Sequence, residues 1–205
     1  MTEHAEHAEH AERDERDDVP DRTEDGADGE PGARVKVGVA LPRPPDDPGE
    51  WLIDAVAFED AGADALWVEH GAAPSLDPIT LAAALAALTY RSLLVVAVAE
   101  PPPPNVLATV ERLSRGRLAL LADEHDPAGP GVVRVAGGEA YEQVGLGRWA
   151  PVAVPAGRVA WREALRAAAG RGEHGVLVPA DPRLLDLLRN PEDPGGRHDL
   201  QLAQG

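Results

Sequence analysis

The run Val35-Lys36-Val37-Gly38-Val39-Ala40-Leu41 decides the fold, because its apolar and β-branched residues end at a Pro-rich loop, as a buried strand does. Asp47-Pro48 then supplies an N-cap and a first-turn proline for a helix predicted over Gly49–Ala61, which Gly62 ends. The apolar run Ala65–Val68 predicts the next strand. A strand, a helix and a second strand joined this closely are typical of parallel pairing with a right-handed crossover.

The same alternation continues along the chain. Asp77-Pro78 repeats the cap and proline before a helix predicted over Ile79–Tyr90, and Leu93–Val98 predicts a strand covered on both faces. The same criteria predict further helices over Asn105–Ser114, Ala160–Ala169 and Pro182–Arg189. They predict further strands over Arg117–Leu121 and Gly175–Pro179. Val132–Ala136 and Pro151–Val154 carry weaker strand patterns.

These elements predict an α/β fold. A complete barrel of eight βα units usually takes about 250 residues, and the part of this chain with folding patterns is shorter. We therefore expect a parallel TIM-type (β/α) barrel that is reduced relative to eight full units, or the same units opened into a doubly wound sheet.

The N-terminal segment differs from the rest in charge and composition. Residues 1–32 hold 13 acidic and 3 basic residues and, apart from Met1, only one large apolar side chain, Val19. Such a segment buries too little surface to offset the entropy of ordering. We predict a disordered acidic arm over residues 1–32, a barrel domain over 33–205, and a loose tail over 190–205.

Composition excludes several classes of function. The net charge of −17 argues against nucleic acid or an anionic membrane as a partner, since both need clustered Lys and Arg. No cysteine is present, which excludes disulfides, thiolate metal sites and cysteine nucleophiles. The start of the chain has no secretory pattern and the apolar runs are short, so a cytoplasmic location is predicted.

Candidate site residues follow from the predicted topology, because ligands of parallel α/β folds bind at the carboxyl ends of the strands. Three carboxylates take such strand-end positions: Glu69, Glu100 and Asp123. His70 follows the second strand and titrates near neutral pH, so it is the candidate general base or hydrogen-bond donor. The alternative for His70 is a solvent-facing histidine at the end of a strand.

Other patterns give weaker candidates. Glu124 and His125 extend the strand-end group, but no ligand spacing indicates a metal, and none is predicted there. His4, His7 and His10 repeat every three residues and would form at best a weak chelator in a solvated tail.

The chain also lacks a phosphate-binding glycine motif. Asp181-Pro182 opens a helix where barrels often hold phosphate, yet Asp181 would repel an anion, so it is interpreted as an N-cap. Arg183 and Arg189 offset that charge only weakly.

Three blocks of sequence, in order, resemble a known family. They are Glu59-Asp60-Ala61-Gly62-Ala63-Asp64-Ala65-Leu66-Trp67-Val68-Glu69-His70, then Asp77-Pro78-Ile79-Thr80-Leu81 with Thr89-Tyr90-Arg91, then Glu111-Arg112-Leu113-Ser114-Arg115-Gly116-Arg117-Leu118. Together they resemble the bacterial luciferase-like oxidoreductases and monooxygenases, which use a flavin or deazaflavin.

The resemblance implies a parallel barrel with a reduced FMN or deazaflavin coenzyme lying across the strand ends, and His70 matches the active-site histidine position. The family's cofactor-holding loops correspond here to Glu100 with Pro101 to Pro104 and to the segment containing Asp123. Carboxylates and prolines replace phosphate donors in these loops, so weakened or lost cofactor affinity is expected.

Three functions remain open on the sequence. The first is a flavin- or deazaflavin-dependent oxidoreductase acting on an unknown small molecule. The second is a non-catalytic relative that acts as a binding or scaffolding protein. The third is a partner-binding module that works through its acidic arm. A truncated barrel would expose strand edges and apolar helix faces, so a homo-oligomer is expected in each case.

Overall fold

The computed structural model describes residues 34–42, 48–68, 76–122, 131–135 and 140–190. The strands are β1 Lys36–Leu41, β2 Ala65–Val68, β3 Leu93–Ala97, β4 Leu118–Ala122, β5 Gly131–Arg134, β6 Tyr141–Gln143, β7 Gly147–Pro151 and β8 Gly175–Pro179. The helices are α1 Gly49–Ala61, α2 Pro78–Leu88, α3 Pro104–Ser114, α4 Arg158–Gly170 and α5 Pro182–Arg189. The predicted arm at residues 1–32 and the tail beyond Asn190 lie outside the described residues.

The eight strands close into a barrel in chain order, with β8 paired back onto β1. Val39 of β1 pairs in parallel with Leu66 of β2, and Leu66 pairs in parallel with Leu94 of β3. The predicted parallel arrangement of the first three strands is thus confirmed. Parallel pairing also joins β3 to β4, β4 to β5, β7 to β8 and β8 to β1. Because the sheet closes, the alternative of an open doubly wound sheet is wrong.

The sheet departs from a wholly parallel barrel at β5, β6 and β7, which pair antiparallel. Their connections are too short for a crossover helix, and Gly145 and Gly147 adopt positive φ at the tight turn between β6 and β7. This meander adds strands without adding helices. The described domain therefore has fewer helices than a barrel of eight βα units, although its sheet still closes with eight strands.

The strand predictions failed at two places. The strand predicted at Pro151–Val154 is wrong in position, because β7 spans Gly147–Pro151 instead. β6, at Tyr141–Gln143, was not predicted at all. Three residues give too little alternation to recognise, and both strands are defined by the barrel neighbours that they pair with.

The predicted N-caps of α2 and α5 and the predicted end of α1 are confirmed, whereas the predicted N-cap of α1 is displaced by one residue. The Asp77 carboxylate accepts a hydrogen bond from the Thr80 backbone N–H at 2.7 Å, and the Asp181 carboxylate accepts one from the Arg183 N–H at 2.8 Å. Gly62 ends α1 in the left-handed conformation. Asp47 lies outside the described residues, and Pro48 occupies the N-cap position of α1.

Two apolar layers follow from the alternation of side chains along the strands. Outward residues such as Val39, Leu66 and Val178 pack against the helices, and inward residues such as Trp67 and Trp149 fill the barrel. The indole rings of Trp67 and Trp149 fit inside the barrel because two strands, β1 and β8, carry glycine on their inner face. A Cβ at Gly38 would lie 2.7 Å from the Trp67 Nε1 atom, and one at Gly175 would lie 2.5 Å from the Trp149 ring.

Closure of the barrel also removes one reason for expecting self-association, because the described sheet has no open edge strand. The expectation of a homo-oligomer stays a prediction that rests on exposed apolar side chains such as Ile53, Leu113 and Val159. Among the described residues, no helix has the length and apolar content needed to cross a membrane.

Candidate functional site

The carboxyl ends of β2, β3 and β4 lie side by side. Val68 pairs with Val96, and Ala97 pairs with Leu121, so the three strands end at neighbouring positions on the same rim of the barrel. We call this rim the carboxyl edge. The segments that follow the three strands begin there, and these are the segments in which the sequence predicts site residues.

Of those residues, only Glu100 is described. It lies exposed in the loop between β3 and α3, and no described residue forms an ion pair with it. Glu69, His70 and Asp123, with Glu124 and His125, lie outside the described residues. Their roles therefore stay predictions.

A second pair of side chains stands on the same rim and was missed by sequence reasoning. Arg134 ends β5 and pairs with Tyr141 at the start of β6. The Arg134 guanidinium carbon lies 5.1 Å from the centre of the Tyr141 ring, within cation–π distance. Nothing in the sequence indicated this pair, because it is created by the unexpected antiparallel hairpin.

Aromatic rings form a column through the barrel interior. The ring centres of Tyr141 and Trp67 are 4.8 Å apart, those of Trp67 and Trp149 are 5.7 Å apart, and those of Trp149 and His174 are 5.4 Å apart. The Trp149 Nε1–H donates to the Gln143 side-chain oxygen at 3.0 Å, whereas the buried Trp67 Nε1 has no hydrogen-bond partner among the residues that the structure describes. The column makes the centre of the barrel a packed core, so ligands can bind only at its ends.

A cavity of about 710 Å³ lies beside the start of α4, which follows β7. α4 begins at Gly157 without a side-chain cap, and Arg158 and Arg183 line the cavity. Both guanidinium groups are already paired with carboxylates: Arg158 binds Asp186 at 2.9 Å, and Arg183 binds Asp181 at 2.9 Å. A phosphate dianion would have to displace one of these pairs, so the residues here do not fit the phosphate of a flavin as they stand.

The Asp181 carboxylate is one reason why the cavity beside α4 carries little net positive charge. Two interactions with Arg183, from its side chain and from its backbone N–H, lower the pKa of Asp181 to about 2. The carboxylate therefore stays ionised at any physiological pH and neutralises the guanidinium next to it. The interpretation of Asp181 as a structural N-cap is confirmed.

The blocks that carry the family resemblance meet at the opposite end of the barrel, which we call the amino face. The Glu59 carboxylate accepts hydrogen bonds from the backbone N–H groups of Tyr90 at 2.7 Å, Arg91 at 3.0 Å and Ser92 at 2.8 Å. Burial raises the pKa of Glu59, but these hydrogen bonds outweigh it and the net pKa is lowered. Glu59 thus ties α1 to the loop between α2 and β3.

Two further residues of those blocks hold the amino face together. The Asp64 carboxylate accepts a hydrogen bond from the Val37 N–H at 2.8 Å and forms an ion pair with Arg34 at 2.6 Å, which joins β2 to β1. The Arg117 guanidinium donates to the carbonyl oxygens of Ser92 at 2.6 Å and Thr89 at 2.7 Å. These residues stabilise the fold at the amino face, at the opposite end of the barrel from the rim where chemistry is predicted.

Metal binding finds no support in the described parts of the chain, where no three His, Asp or Glu side chains come together in a metal-binding group. The His4, His7 and His10 repeat lies outside those parts.

Comparison with known proteins leaves the family open. No protein-family model matches the chain, and no curated protein matches it. The resemblance to luciferase-like oxidoreductases therefore remains a prediction.

Proposed function

We propose that the chain is a small luciferase-like oxidoreductase or monooxygenase that holds a reduced flavin or deazaflavin at the carboxyl edge and acts on a small molecule. The observation that carries this proposal is the adjacency of β2, β3 and β4, which end in parallel on one rim. Parallel barrels bind substrates at that rim. Arg134 and Tyr141 add a cation and a flat ring to the same rim.

We further propose that the domain is a TIM-type barrel in which the β5–β7 meander stands in place of complete βα units. The parallel β1–β4 block and the β8 to β1 closure support this. In such a barrel His70 follows β2 and is the proposed catalytic residue, with Glu69, Glu100 and Asp123 in the segments around the cofactor. All four are proposals from position.

The test is a titration of the purified full-length chain with FMN and with a deazaflavin coenzyme, followed by cofactor fluorescence. Saturable quenching, or a yellow preparation, supports the proposal. His70→Ala is then compared with His10→Ala, which removes an imidazole from the arm instead. Reoxidation of the bound reduced cofactor should slow only in His70→Ala, and equal rates would remove His70 from the mechanism.

A second candidate is a non-catalytic relative that uses the barrel as a binding or scaffolding protein. The observation that favours it is the pairing of Arg158 with Asp186 and of Arg183 with Asp181, which leaves the cavity beside α4 without a guanidinium for a phosphate. If this candidate is correct, neither FMN nor the deazaflavin coenzyme should show quenching of its fluorescence at millimolar concentration. Quenching at micromolar concentration would exclude it.

A further inference from the structure

A second cavity lies at the amino face, away from the rim of the proposed function. Its volume is about 620 Å³, and it opens between the starts of β1, β3 and β8. Sites for chemistry in parallel barrels lie at the other end. A ligand bound at the amino face would therefore belong to a separate site, whose existence does not depend on the proposed function.

The wall of this cavity carries more positive than negative charge. Among the described residues, the lining includes four cationic side chains and two carboxylates: the cations are Arg34, Lys36, Arg91 and Arg117, and the carboxylates are Glu59 and Asp64. The whole chain has a net charge of −17. The described lining of the amino-face cavity thus has the opposite sign to the chain as a whole, and a concave surface concentrates such a field.

The two carboxylates are already fully engaged. Asp64 accepts from the Val37 N–H and is shared between Arg34 at 2.6 Å and Lys36 at 3.5 Å. Glu59 accepts three backbone N–H groups. One carboxylate therefore pairs with two cations, and the other accepts amide N–H groups and also acts electrostatically on Arg117.

The other two cations donate mainly to neutral acceptors. Arg117 donates to backbone carbonyls and to the Thr89 hydroxyl, and the Glu59 carboxylate acts on it only from beyond ion-pair distance. Arg91 donates to the Glu59 carbonyl at 3.0 Å and reaches the exposed Asp60 carboxylate only at 3.9 Å. The described lining therefore carries more positive than negative formal charge, and an anion would reduce that excess.

The remaining wall contains apolar side chains beside the polar Gln143. Leu93, Leu146 and Trp149 line it, and Leu146 is 58% exposed. The His174 ring also lines the cavity and meets the Trp149 ring edge to face, and it makes no hydrogen bond within the described part of the chain. A ligand that fits these walls has an anionic head for the cations and a flat or branched apolar body for the leucine side.

We propose that the amino-face cavity is a binding site for a small organic anion, with a carboxylate or phosphate head beside Lys36, Arg34 and Arg91 and an apolar body against Leu93 and Leu146. Carboxylate and phosphate share this chemistry, since both accept charge-assisted hydrogen bonds from guanidinium and ammonium groups. A bound anion would link the starts of β1 and β3, and it would therefore stabilise the barrel at its amino face.

Lys36 gives a direct reporter, because it is the only lysine of the chain and its side chain is 44% exposed. Reductive methylation with ¹³C-formaldehyde labels this side chain and the α-amino group, keeps the positive charge, and yields one side-chain NMR signal. The labelled full-length chain is titrated with benzoate, phenyl phosphate, inorganic phosphate, benzyl alcohol and sodium chloride at matched ionic strength.

The expected result is a saturable shift of the Lys36 signal with benzoate or phenyl phosphate and none with benzyl alcohol or chloride. The tighter of the two organic anions identifies the head group. Equal affinity for inorganic phosphate and phenyl phosphate would overturn the apolar half of the site. Shifts that grow linearly and match those of chloride would overturn the site altogether.

Charge-removing variants test the lining residues. Arg34 and Arg91 have side chains 69% and 68% exposed, so Arg34→Gln and Arg91→Gln should fold, and each should weaken binding about threefold to tenfold. Arg166→Gln on α4 makes the same charge change outside the cavity and should leave affinity unchanged. Equal weakening in all three variants would mean that only the net charge matters, which contradicts a built site. The thermal stabilisation of unmodified protein by the same anions checks each variant without the label.

Discussion

The Glu59 carboxylate accepts a hydrogen bond from the Ser92 backbone N–H at 2.8 Å, which joins the end of α1 to the start of β3. Ser92 also donates its hydroxyl to the Ala63 carbonyl oxygen at 2.8 Å, so it donates both to the end of α1 and to the chain between α1 and β2. Both residues are buried. The segments with the strongest family resemblance thus stabilise the amino face of the barrel, and their presence indicates a fold more directly than an activity.

Replacing Glu59 with glutamine should destabilise the barrel by about 2 to 3 kcal/mol, because one of the two carboxylate oxygens becomes an NH₂ group that faces backbone N–H donors. Urea denaturation followed by circular dichroism measures the loss. Glu163→Gln makes the same chemical change on the exposed face of α4 and should stay within about 0.5 kcal/mol of the parent. A parent-like Glu59→Gln would show that the three backbone bonds contribute nothing.

Acid should weaken the fold partly through the same carboxylate. Since the pKa of Glu59 is lower in the folded state than its ordinary value of 4.5, the unfolded state takes up the proton first. The stabilisation is complete above that value and is lost as the pH falls through the folded pKa. Unfolding free energies measured between pH 6 and pH 3 should therefore fall less steeply in Glu59→Gln, and parallel curves would contradict this.

His174 should add a second acid-sensitive contribution at higher pH. Burial, and then the nearby Lys36 ammonium, lower the pKa of His174 below 6.5. The imidazole therefore takes up a proton more readily in the unfolded state than in the folded state, so the free energy of unfolding declines as the pH drops below about 6.5. A histidine NMR titration of the folded chain measures the shift. An imidazole in the barrel that titrates at or above 6.5 would exclude this interpretation.

A methyl group at Gly175 should be poorly tolerated. The added Cβ would lie 2.5 Å from two Trp149 ring carbons and 3.0 Å from the Lys36 carbonyl oxygen, so the indole or the strand must move. Gly175→Ala should cost about 2 to 3 kcal/mol and lower the melting temperature by about 5 °C or more. Gly170→Ala, where a Cβ meets nothing within 4 Å, is the matched control and should be neutral or slightly stabilising. Equal melting temperatures for the two variants would mean that the ring packing is loose.

Replacing Arg117 with lysine tests whether the guanidinium fork matters beyond its charge. Lysine keeps the positive charge but cannot reach the Ser92 and Thr89 carbonyls together, so a loss of about 1 to 2 kcal/mol is expected. Arg112→Lys, on the exposed surface of α3, is the control and should leave the unfolding midpoint unchanged. A midpoint equal to that of the parent in Arg117→Lys would reduce its role to charge alone.

Most of the regular βα elements could be predicted because each carries a local signal. Asp77 and Asp181 precede prolines and cap helices, and the buried strand Ala65–Val68 reads as a continuous apolar run. β6 has no such signal. Its three residues, and the inward position of Trp149 in β7, are set by the strands that they pair with rather than by their own propensity.

The candidate site was predictable only as a position on the sheet. The chain order places Glu100 and His70 after consecutive strands, and the parallel pairing of β2 with β3 brings the ends of those strands together. Arg134 and Tyr141 could not be predicted at the same rim, because the antiparallel pairing of β5 with β6 brings them together and β6 carries no strand signal of its own.

The amino-acid sequence by itself determined most of the βα units and the aspartate caps of α2 and α5, because those features depend on neighbours a few residues apart. Only the tertiary structure decided that the sheet closes through an antiparallel meander and that four cations gather beneath it. Closure and charge clustering depend on residues far apart in the chain, whose proximity no local pattern encodes.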